Sequence, residues 1–153
     1  MPIHLATGDV ATVISLSVAP VFLLAGIGAL LNVMTQRLAR VIDRVRVVED
    51  LLVSGEGEED AARHRAELSA LSLRMRLAGG AITACTGAAL AVCGVVALLF
   101  LGALFSLGIG AAVAALFVAA MLALVAGLSV LLVEIAVASR TVRVRTDLLR
   151  GRR

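Results

Sequence analysis

Pro20–Arg46, PVFLLAGIGALLNVMTQRLARVIDRVR, changes character halfway along its length. Up to Met34 it holds apolar and small residues with a single Asn, a composition suited to lipid or to a protein core. From Arg37 an arginine returns every few positions. No Gly or Pro interrupts the stretch after Gly28, so one helix can leave a membrane here and continue into water, with its continuity left open by the sequence.

Residues 10–34, 77–105 and 108–133 contain no Asp, Glu, Lys or Arg. A hydrocarbon core of ~30 Å takes about 20 helical residues, and each run is long enough. The apolar stretches are unbroken rather than alternating, which argues against strands. These runs explain why 61% of the 153 residues are hydrophobic, against the 45–50% usual for soluble domains, and why the mean hydropathy reaches +1.06. The expected architecture is all-α: a single integral membrane domain over 1–153. Its transmembrane helices lie at about 10–34, 77–105 and 109–138.

All 14 basic residues are Arg, and they fall only in 37–76 and 140–153. By the positive-inside rule both segments face the cytoplasm and the N-terminus lies outside, which three spans also require. MPIHLATGDV has no basic n-region, so the first span is expected to remain as an anchor rather than be cleaved as a signal.

Between spans one and two, Leu38, Val41, Val45, Val48 and Leu52 recur at three and four. So do Ala61, His64, Leu68, Leu71, Met75 and Ala78. Two such seams, joined by a polar turn over Ser54–Asp60, predict an antiparallel helical hairpin in the cytoplasm at 37–76. Only Ser106–Gly108 separate spans two and three, which are expected to pack as a tight pair. Small residues repeat every fourth position in span three, at Ala111, Ala115, Ala119, Ala123 and Gly127. In span two, Gly80, Ala84 and Ala88 form one such line and Thr83, Gly87 and Ala91 another. Stripes of this kind let helices approach closely, either within one chain, as favoured here, or between chains.

The run APVFLLAGIGALLNVMTQRLARVIDRVRVVE (Ala19–Glu49) resembles the signature of a bacterial membrane family, domain-of-unknown-function family 2721. ELSALSLRMRLAGGAI and LFVAAMLALVAGLSVLLVEIAVAS strengthen the resemblance, which covers about 10–140. It implies a three-span bacterial membrane protein with a cytoplasmic hairpin, and it implies no activity and no functional residues; the inner membrane is the expected location.

Catalytic signatures are absent from the sequence: there is no Walker loop, HExxH, CxxC or nucleophile elbow. No catalytic, cofactor or metal site is expected. Cys85 and Cys93 are about 12 Å apart along a helix, too far to bridge, and read as small apolar residues. His64 has no metal-spaced companions.

Two constellations remain. Glu134 is the one acid inside a span, where ionisable groups are costly. It reads either as the ion-pair partner of Arg37, Arg74 or Arg76, or as an ion or proton site. Along span one, Ser15, Phe22, Ala25, Ala29, Asn32 and Gln36 recur on one face that continues to Asp43. This stripe either packs against spans two and three or lines an axial pore of an oligomer, with Phe22 as constriction. The tail arginines Arg140, Arg143, Arg145, Arg150, Arg152 and Arg153 are expected to contact anionic lipid headgroups rather than nucleic acid, for which the tail lacks stacking aromatics. The chain thus reads as a non-catalytic, homo-oligomeric scaffold offering its hairpin to a cytoplasmic partner, or alternatively as a small oligomeric channel or transporter lined by span one.

Overall fold

A computed structural model describes residues 7–54 and 57–150, with side chains over 11–54 and 57–139. Three helices account for nearly all of it: α1 (Thr7–Val53), α2 (Glu58–Phe105) and α3 (Gly110–Arg150). Each contains a segment long and apolar enough to cross a membrane. The first span and the arginine-bearing arm after it are one helix, since no residue beyond Gly28 favours a break. α1 also runs through Pro20, and nearby the Ser17 hydroxyl donates to the Val13 carbonyl at 2.8 Å.

The connection between α1 and α2 is shorter than the sequence suggests. Ser54–Asp60 reads as a turn, yet Glu58, Glu59 and Asp60 form the first turn of α2. Acids are favourable there because the unpaired amides of a helix N-terminus carry partial positive charge. Ser54 closes α1 by donating through its amide to the Asp50 carbonyl at 3.1 Å and through its hydroxyl to the same carbonyl at 2.7 Å. α2 ends with Ser106 in the left-handed region, at a φ of 51°. The Leu107 amide then donates back to the Gly102 carbonyl at 3.0 Å, the six-to-one bond of a Schellman cap. A Cβ on Gly102 would sit 3.0 Å from Ile109 Cδ1 and Cγ1, so the side chain entering α3 folds over the glycine.

The chain divides into two compact units, and each helix contributes to both. One unit comprises residues up to Asn32 together with Thr83–Ala126. Its buried residues are Ser17, Pro20 and Ile27 of α1, Cys85, Ala88, Val92 and Val95 of α2, and Ala120 of α3. The core is thin because its members are small, and Gly94 admits Leu116, whose Cδ2 lies 3.1 Å from where a Cβ would stand. The other unit comprises Val33–Ile82 with the part of α3 from Gly127. There Val41, Val48 and Leu71 form a buried cluster with Val45, Leu68 and Met75 packed against it, so the two seams of the sequence meet.

Buried positions recur every seventh residue along each helix. They are Ile27, Met34, Val41 and Val48 in α1, and Leu71, Ala78, Cys85 and Val92 in α2, beside Ala81, Ala88 and Val95. In α3 they are Ala120, Gly127 and Glu134. The small-residue stripes coincide with the packing faces within the chain only in part. Ala88 and Gly127 are buried where a stripe meets the seventh-residue series, but Ala111, Ala115 and Ala119 are exposed, as are Gly80, Thr83 and Gly87, while Ala123, Ala84 and Ala91 are half-buried. At ~100° per residue a four-residue step overshoots a full turn by about 40°, so a stripe of five members winds almost to the opposite side. A seven-residue step falls short of two turns by only about 20° and keeps its face.

Candidate functional site

The seventh-residue series changes chemistry toward the arginine end of the spans. In α2 the series Val95, Ala88, Ala81 continues to Arg74 and Glu67, and in α3 Ala120 and Gly127 are followed by Glu134. Charged side chains thereby continue the inward lines of α2 and α3, whereas the buried series of α1 stays apolar through Val41 and Val48. Glu134 is 2% exposed, and both of its carboxylate oxygens are engaged. Oε2 accepts from Arg37 Nη2 at 2.9 Å, and Oε1 accepts from Arg74 Nη2 at 3.0 Å and Nε at 3.1 Å. Two turns further out, Glu67 Oε1 accepts from Arg44 Nη2 at 2.7 Å and Nε at 2.8 Å, in a more exposed setting.

Beside this network lies a cavity of ≈ 220 Å³ lined by Arg37, Arg40, Arg44 and Arg74, with Val41 and Leu71. Four guanidiniums border it. The two carboxylates that pair with them, Glu134 and Glu67, leave a surplus of two positive charges. Burying a single acid between two arginines satisfies the acid fully and each arginine in part, because a guanidinium carries five donors.

Of the residues singled out in the sequence, Glu134 therefore lies between Arg37 and Arg74, while Arg76 is exposed. Ser15, Phe22, Ala25, Ala29, Asn32, Gln36 and Asp43 are all exposed on α1. Phe22 is 74% exposed and borders an apolar cavity of ≈ 380 Å³ with Val18, Val21, Val96 and Phe100. The face of α1 buried within the chain is the one carrying Ser17, Ile27, Met34, Val41 and Val48. The side chains of the tail arginines Arg140, Arg143, Arg145, Arg150, Arg152 and Arg153 lie outside the described residues. His64 is half-buried, Cys85 buried and Cys93 exposed, and no cluster of metal-ligating side chains occurs among the described residues. The roles of Arg40 and Arg44 at the cavity were not legible from spacing alone. The signal was the seven-residue interval Glu67–Arg74–Ala81, which marks a charged pair on an inward line.

Three long apolar helices and a charged cluster at one end of them define a multi-pass helical membrane protein. Residues 17–144 match the family described as "Protein of unknown function (DUF2721)", and the chain belongs to that family. Neither a curated protein nor a solved structure matches the chain.

Proposed function

We propose that the protein is a non-catalytic, homo-oligomeric scaffold of the bacterial inner membrane. In this reading the N-terminus lies outside, the C-terminus is cytoplasmic, and residues 37–76 form an antiparallel hairpin offered to a cytoplasmic protein. The contact pattern supports the hairpin. Arg37 and Arg74 converge on Glu134 while Arg44 reaches Glu67, so partners advance along α1 as they retreat along α2.

The observation that carries the oligomer is the outward face of α1. Ser15, Phe22, Ala25, Ala29, Asn32, Gln36 and Asp43 lie on it, from apolar span to charged arm, and none is buried. Ala25 and Ala29, with Gly26 and Gly28 that have open space where a Cβ would stand, leave this face low enough for another helix to approach closely. Ala111, Ala115 and Ala119 offer a second low, exposed face. Two different adhesive faces on one chain favour head-to-tail contacts, which close into a ring when the rotation allows.

A channel lined by α1 is the second reading, favoured because Ser15, Asn32, Gln36 and Asp43 share that face. The mass of the full chain in detergent tests the assembly, and a multiple of 15.7 kDa is expected. A monomer sinks both readings. Phe22→Ser then separates them: raised ion flux through liposomes supports the channel, whereas tight liposomes leave the scaffold.

A further inference from the structure

We propose that the arginine-lined cavity beside Glu134 is a binding site for the phosphate group of an anionic lipid headgroup. The inference stands on the membrane setting of the helices and is independent of whether the assembly is a scaffold or a pore.

Three observations converge on it. The first is chemistry. Arg37, Arg40, Arg44 and Arg74 face one space, and each guanidinium presents a planar fork of N–H donors suited to phosphate oxygens. Glu134 occupies one nitrogen of Arg37 and two of Arg74, and Glu67 two of Arg44, so donors remain on every one of them. Val41 and Leu71 supply an apolar wall, and no carboxylate lines the cavity. The Arg37–Glu134–Arg74 triad keeps one positive charge in excess and the exposed Arg40 adds another at the cavity, a field that favours an anion.

The second observation is rigidity. Arg37 and Arg74 are held by a carboxylate that is 2% exposed, so two of the four donors are positioned before any ligand arrives. Preorganisation of this kind removes part of the entropy cost of binding.

Depth is the third. Met34 and Leu77 are the inner limits of the apolar stretches of α1 and α2. Arg37 and Arg74 each lie three residues beyond those limits, about 4.5 Å along a helix, and Arg44 about 15 Å beyond. The polar layer of a leaflet is about 5–8 Å deep, so the cavity begins among the headgroups and opens into water above them. A volume of ≈ 220 Å³, about seven water molecules' share, is large enough for a headgroup phosphate with its bridging oxygens. Basic pockets between spans at this level are suited to anionic lipid heads.

The test uses the full chain, delipidated in a non-ionic detergent. Short-chain phosphatidylglycerol, short-chain phosphatidylcholine and inorganic phosphate are titrated in turn, with bound ligand counted by native mass spectrometry and stability followed by thermal midpoint. One saturable phosphatidylglycerol per chain is expected, with a raised midpoint, and no saturable binding of phosphatidylcholine. Arg40→Gln, at an exposed side chain, should leave the unliganded midpoint unchanged and weaken phosphatidylglycerol binding roughly tenfold, the loss of one charge-assisted bond. Arg44→Gln should weaken it similarly. A chain with its six tail arginines changed to Gln should keep the saturable site. Should inorganic phosphate saturate the site as tightly as the lipid does, the phosphate chemistry stands and its source is a free anion. Wild-type affinity in both Arg40→Gln and Arg44→Gln, loss of binding only in the tail variant, or no saturable binding of either phosphate ligand would each overturn the proposal.

Discussion

Glu134 carries the largest electrostatic commitment among the described residues. A carboxylate buried at that depth is tolerable only because three N–H groups from two arginines reach it within 3.1 Å. Removing the charge leaves Arg37 and Arg74 facing each other across a neutral amide. Breaking a buried pair in this way costs about 3–5 kcal/mol, and the lower end applies because the two arginine side chains are 30% and 23% exposed. Glu134→Gln should therefore lower stability by about 3 kcal/mol, read as a drop in thermal midpoint of the detergent-solubilised chain, whereas Arg76→Gln at an exposed position should stay within ~0.5 kcal/mol. A Glu134→Gln protein as stable as wild type would remove the structural role. Sequence alone pointed at Glu134, because an acid in an apolar run stands out. Choosing among arginines at similar depth required knowing which helix faces turn inward.

At the scale of the element, the arms that follow the first span and precede the second meet through Val41, Val45 and Val48 on one side and Leu68, Leu71 and Met75 on the other. This cluster holds few large side chains, so each contributes a substantial share of the apolar burial. Val45→Asp places a charge against Val41, Val48 and Leu71 and should cost about 3 kcal/mol. Glu58→Ala, in the first turn of α2, removes only a favourable interaction with the helix N-terminus and should cost below ~1 kcal/mol. Thermal midpoints check the contrast, and equal losses would mean that the arms do not pack in solution. Both seams were visible in the chain because apolar residues at three-and-four spacing stand out against charged neighbours. Inside the spans the same spacing is invisible, since nearly every position is apolar. There the inward line follows the seven-residue interval rather than the conspicuous alanine stripes.

For the whole molecule, orientation rests on the confinement of every arginine to 37–76 and 140–153. Moving either segment across a bilayer would carry several guanidiniums through hydrocarbon, each at about 2.5–3.5 kcal/mol on insertion scales. In a Cys85→Ala, Cys93→Ala background, cysteines introduced at Thr7 and Ser106 should react with an impermeant thiol reagent in intact cells, and one at Gly55 should not. Labelling at Gly55 with protection at Thr7 would invert the proposed topology and move the arginine-lined cavity to the outer leaflet. The exposed small faces of α1 and α3 bear on assembly at this scale, because helices in lipid gain little from apolar burial and associate through close fit instead.

Hydropathy averaged over about 20 residues made the three membrane-crossing helices readable without coordinates, because a bilayer imposes length and apolarity regardless of what packs against what. The local absence of breakers allowed a continuous helix through Met34 and Arg37, and the structure decided it. The packing faces were a different matter. Lipid and protein interior are equally apolar, so composition cannot distinguish an alanine turned to lipid from one turned to a helix. The exposure of Ala111, Ala115 and Ala119 beside the burial of Ala120 depends on helical phase relative to neighbours, a property of the assembled chain. The same holds for the gathering of Arg37, Arg74 and Glu134. Their positions span nearly a hundred residues of sequence, and only folding brings three distant charges within hydrogen-bond reach.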